Sequence, residues 1–63
     1  DTNFNGLINK YRIKEAKTLL LENLNLTVLA IGYKVGFNSN SVFYTAFKND
    51  TGFSPNQYRQ GKR

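Results

Sequence analysis

The chain predicts an all-α fold: one long helix, then two short helices around a tight turn, then a brief closing helix. Three observations carry that expectation. Apolar residues recur at steps of three and four, the period of a helix, and nowhere alternate as a strand would. Gly36 and Gly52 fall just past two of these periodic stretches, where a left-handed residue ends a helix. Thr27, the run Asn38 to Ser41, and Ser54 stand just ahead of periodic stretches, where a short polar side chain caps a helix start.

Residues 4–21 form the long helix. Phe4, Leu7, Ile8, Tyr11, Ala16, Leu19 and Leu20 make a stripe along one side. Ile13 and Leu21 lie off its centre and imply a second contact surface. Asn3 or Asn5 can cap the start. Eighteen residues at 1.5 Å each give roughly 27 Å, long for so small a body. Asn23 and Asn25 then favour a turn.

The helix-turn-helix unit spans 27–50. Thr27 caps a helix over 28–35, in which Val28, Ile31 and Val35 point to a core. Gly32 weakens its middle by about 1 kcal/mol relative to Ala, which is explicable if another helix approaches closely. Gly36 ends it and Phe37 plugs the turn. The next helix covers about 39–50, with Val42, Phe43, Ala46 and Phe47 placed inward, and Gly52 ends it. Ser54-Pro55 opens the last helix, 55–60, with Ser as cap and Pro in the first turn.

Sixty-three residues bury only about 60% of their unfolded surface, so the core is small. There is no Cys and no His, and two Asp and two Glu do not make a metal site. No His base, paired acids or Gly-rich phosphate loop appears, so no catalytic set, metal or cofactor is expected. No apolar run approaches the roughly 20 residues that span a bilayer. No export signal is visible, which fits a cytoplasmic origin, and a start at Asp1 fits a piece of a longer chain. Nine basic against four acidic residues give a charge of +5, which favours an anionic partner. The excess is uneven: 1–26 carries four basic and three acidic groups, 27–63 five basic and one acidic.

The helix at 39–50 presents Asn40, Ser41, Tyr44, Thr45 and Lys48 away from its apolar side. A merely solvated face is more often filled with Lys and Glu. Asn pairs with an adenine edge, Ser and Thr donate or accept, and the Thr methyl meets a thymine methyl. Asn40, Ser41, Tyr44 and Thr45 are therefore the candidate base contacts in double-stranded DNA. Lys34, Lys48 and Arg59 are the candidate phosphate contacts, and Lys62 and Arg63 add charge to the tail. Arg12, three residues before Glu15, is assigned to an ion pair instead. Phe37, Phe43, Phe47 and Tyr58 are assigned to the core rather than to base stacking. The rival reading is a protein-interaction or dimerisation module using the Leu-rich side of residues 7–24. RNA is the weaker option, because a helix does not fit the narrow major groove of A-form RNA.

Several strings of residues also carry a resemblance. Tyr11-Arg12-Ile13 with Ala16 and Leu19-Leu20, then Ile31-Gly32-Tyr33-Lys34-Val35-Gly36-Phe37, come first. Ser41-Val42-Phe43-Tyr44 with Ala46-Phe47-Lys48, Thr51-Gly52-Phe53-Ser54-Pro55, and Tyr58-Arg59 follow. In this order and spacing they resemble the AraC/XylS family of bacterial transcription regulators. The resemblance implies a homeodomain-like helix-turn-helix unit preceded by a long helix. That family's DNA-binding domain has two such units on a joining helix, and 1–63 resembles the joining helix and the second unit. The first unit would precede Asp1. The resemblance also implies a sensing domain upstream, more often activation than repression, and RNA polymerase as a partner through the full-length protein. Ile8, Ile13 and Leu21, if left uncovered, would drive homodimer formation. Gly32 stands where the family prefers Ala, Ala30 where an acidic residue is frequent, and Leu29 makes an outer face unusually apolar.

Overall fold

The computed structural model describes residues 4–61, and the side chains of 6–61. Four helices follow one another: α1 (Phe4–Glu22), α2 (Val28–Lys34), α3 (Asn40–Thr51) and α4 (Pro55–Arg59). Helix α1 lies against each of the other three, α2 packs on α3, and α3 on α4. The core between them is Ile13, Ala16, Leu20, Val28, Ile31, Phe37, Phe43 and Phe47. Three aromatic rings dominate it. Phe43 sits between Phe37 and Phe47, with centroids 5.3 and 5.9 Å away. Tyr58 of α4 closes the cluster edge-on to Phe47 at 5.3 Å. Tilted and edge-on contacts at these distances suit the ring quadrupoles.

The caps form where the polar residues stand. Thr27 Oγ1 accepts from the Ala30 amide at 3.0 Å, and Ser39 Oγ accepts from the Val42 amide at 3.2 Å. Ser54 accepts from the Gln57 amide, while Gln57 Oε1 accepts from the Ser54 amide, a reciprocal capping box. Gly36, at φ +114°, ends α2. The Phe37 amide reaches back to the Gly32 carbonyl and the Gly36 amide to that of Tyr33. This paired bonding satisfies two carbonyls that the helix end would otherwise orphan, and it turns Phe37 into the core.

Gly32 is where α2 and α3 touch. A Cβ there would lie 2.6 Å from Cδ2 of Phe43, closer than real contacts allow. The close approach expected from the sequence is present, and Ala at this position would collide with this ring.

Three expectations are corrected. The buried face of α1 is Ala16 and Leu20 of the expected stripe, joined by Ile13. Of the expected stripe, Leu7 is 58% and Tyr11 66% exposed, while Ile8 and Leu19 are half-buried. Ile13, expected off-centre and uncovered, is 2% exposed. Both sets recur with a helical period, and the later elements fold onto the Ile13 side. Val42, placed inward with Phe43, is 53% exposed. Arg12 makes no ion pair with Glu15. Its guanidinium lies over the Phe37 ring, 5.6 Å from the centroid. An ion pair of α1 runs to α3, from Lys17 Nζ to Asp50 Oδ2 at 3.6 Å. The side chains of Phe4, Asn5, Lys62 and Arg63, and Asn3 altogether, lie outside the described residues.

Candidate nucleic-acid interface

One face of α3 makes the core and the opposite one is open. Phe43 and Phe47, one turn apart, are fully buried. Ser41, Val42, Thr45, Lys48 and Asn49 are exposed and, by the 3.6-residue period, point away from that pair. Asn40 is exposed at the first turn. Twelve residues make a rod roughly 18 Å long, narrow enough for the major groove of B-DNA, which is about 12 Å wide.

What fixes this rod also aims it. Ser39 caps its start, Gly52 at φ +86° ends it, and the Gly32–Phe43 contact sets its distance from α2. Lys34 and Lys48 are exposed in the last turns of α2 and α3. Cations are favoured at those ends by the helix dipole, and both remain on the surface. Among the described residues neither lysine makes an ion pair.

The sequence-derived contact set divides in this geometry. Ser41, Thr45 and Lys48 share the open side of α3, while Asn40 is exposed at its first turn, one turn before Phe43. Tyr44 does not stand free: its ring is half-buried, edge-on to Phe43 at 6.0 Å, and its hydroxyl accepts from Asn56 Nδ2 at 2.9 Å. It braces α3 against α4. Arg59, assigned to phosphate from sequence, has another role. Its Nε donates to the Leu20 carbonyl at 3.0 Å, Nη1 to Leu26 at 2.8 Å and Nη2 to Asn23 at 3.0 Å. These carbonyls lie at the end of α1 and in the loop after it, where helix termination leaves acceptors unfilled. A guanidinium fork reaches all three at once, sharing the Asn23 carbonyl with the Leu26 amide.

Two residues of the open face were missed from sequence. Val42 was assigned inward because it is apolar. Asn49, a turn beyond Thr45, falls beside Thr45 on a helical wheel carried to the end of α3, a position the polar run at 40–48 does not reach. Among the described residues no group of three or more His, Cys, Asp or Glu could hold a metal ion. Among them no helix is long and apolar enough to cross a membrane.

The comparisons with known proteins agree with this geometry. The family model described as a helix-turn-helix domain matches residues 1–61. An uncharacterized helix-turn-helix-type transcriptional regulator of Pseudoalteromonas carrageenovora is 38% identical over 56 residues, 89% of this chain and 32% of that protein. The chain thus spans about a third of the length of the curated relative it matches. No solved structure matches. With its matched span covering all four helices, the chain belongs to the helix-turn-helix domain family, non-catalytic domains that bind DNA sequence-specifically in transcription regulation.

Proposed function

We propose that this chain reads duplex DNA by laying α3 in the major groove, as the second helix-turn-helix unit of an AraC/XylS-type, homeodomain-like DNA-binding domain. One observation carries the reading: α3 buries two phenylalanines on one side and leaves a polar, nearly uncharged face open on the other. Ser41 and Thr45 on that face, with Asn40 exposed at the first turn, are the base readers. Tyr44 acts mainly by holding α3 to α4. Lys34 and Lys48 take backbone phosphates, and Arg59 leaves that set because its guanidinium is engaged with three carbonyls.

The relative's name, a transcriptional regulator, supports a regulatory role for the whole protein in the bacterial cytoplasm. A sensing domain elsewhere in that protein and contact with RNA polymerase belong to the same proposal. The exposed Leu7 and Tyr11 of α1 support a covering partner on the side away from the core. The first helix-turn-helix unit fits there, and a second copy of the chain is the alternative. A purely protein-binding module is the weaker reading, since the open face of α3 lacks the large apolar groups of an interface core.

The test is selection of sites from a randomised duplex library by the full-length protein, wild type against Asn40→Ala/Thr45→Ala. A defined site, with changed preference at a few positions in the variant, is the expected result. Wild-type protein that enriches nothing above background would overturn the reading.

A further inference from the structure

Val42 is out of place for a core residue. It lies outside the buried cluster and outside the partly buried residues packed on it. Its side chain is 53% exposed, beside Ser41 and three residues before Thr45 on the open face. A β-branched residue on an exposed helix surface loses rotamer freedom and helix propensity. Burial does not compensate it here. Nor does the helix start need it, because the Ser39 cap uses only the Val42 amide. Departures from local rules concentrate at functional or strained positions, and no strain is seen here: no non-Gly residue among those described has a positive φ.

The position also restricts what Val42 can meet. Its exposed neighbours on α3 are Ser41, Thr45 and Asn49, all polar, so it is a single apolar group in a polar strip. A protein partner would call for a wider apolar core. The edges of the major groove offer hydrogen-bonding groups and one apolar group, the C5 methyl of thymine. We propose that Val42 is a specificity residue that recognises thymine by packing its γ-methyls on that C5 methyl. The inference rests on α3 being the groove-reading helix and adds a chemical class to it: a 5-methylpyrimidine at one step of the site.

The experiment uses the full-length protein and its selected duplex, with each thymine replaced singly by deoxyuridine. That change deletes the C5 methyl and keeps every hydrogen-bonding group. Wild-type affinity should fall about fourfold at one thymine, the effect of losing one buried carbon. Val42→Ala should bind the intact site more weakly and ignore the replacement at that thymine. Val42→Thr, which keeps one γ-methyl, should remain partly sensitive. Circular dichroism of both variants should match wild type, since the side chain supports no core contact. Wild type that keeps its site preference yet tolerates uracil everywhere overturns the inference and leaves α3 as the reading helix. Val42→Ala with undiminished sensitivity at the same thymine also overturns it. Wild type that selects no site removes the underlying reading as well.

Discussion

A methyl group added at Gly32 would meet the Phe43 ring at both Cδ2 and Cγ, 2.6 and 2.9 Å away. Those atoms are near the root of a fully buried side chain and have no room to retreat. Two effects oppose each other in Gly32→Ala. Helix propensity improves by about 1 kcal/mol, while overpacking costs roughly 1–3 kcal/mol. The expected net result is destabilisation by about 1 kcal/mol, read from urea unfolding of the two proteins. A variant more stable than wild type would mean that α2 and α3 separate at little cost. Arg59 gives a larger residue-scale prediction. Replacing it with Ala leaves the Leu20 and Leu26 carbonyls without this donor and the Asn23 carbonyl with the Leu26 amide alone, and charge-assisted bonds of this kind are worth about 1.5–3 kcal/mol each when shielded. Partial exposure reduces that, so a loss of roughly 2–3 kcal/mol in total is expected from Arg59→Ala. Arg59→Lys should recover little, because an ammonium cannot span the three acceptors. DNA affinity measured well below the unfolding temperature should keep its salt dependence in Arg59→Lys, as a residue outside the phosphate contacts requires.

At the scale of elements, helix existence and helix ends were legible because their signals are local. Thr27, Ser54 and Gly36 act within four residues of where they stand, so a one-dimensional reading captures them. Faces were harder. Helix α1 carries two apolar sets, and spacing alone does not say which one the later helices will cover. Spacing puts Leu7 and Tyr11 in one stripe with Ala16 and Leu20, whereas the fold buries Ala16 and Leu20 together with Ile13 and leaves Leu7 and Tyr11 exposed. On α3 the reading took Val42 inward on apolarity, although Phe43 and Phe47 already define the buried side. The role of Arg59 was illegible for a different reason: its acceptors are backbone carbonyls 33 to 39 residues away, which no side-chain pattern announces. The open face of α3 yields its own prediction. Asn40→Ala and Thr45→Ala, made singly, should relax preference at different base steps by about 1–3 kcal/mol where a bidentate or paired contact is lost. Competition binding against single-base variants of the selected site measures this, and uniform weakening across all variants would count against base contact.

For the whole molecule, the positive charge belongs largely to the part that carries α2, α3 and α4. Lys34 and Lys48 add an attraction that ignores sequence and that salt weakens. Lys48→Ala should lower affinity evenly for selected and random duplexes and reduce the slope of log affinity against log salt by about one. An unchanged slope would remove Lys48 from the phosphate contacts. The three bonds of Arg59 have a consequence of another kind. They pin the final helix to the last turn of the first and to the loop that follows it, so the parts on either side of α2 and α3 are fastened to each other. A five-residue helix is too short to persist alone in water, and here it does not have to. Opening it would expose Tyr58, break the fork and release the end of α1 in one event. Amide protons of α4 and of the last turn of α1 should therefore exchange with solvent at nearly the same rate, as one cooperative unit. The reading helix lies between those fastened parts, and it keeps its shape for as long as that unit stays shut.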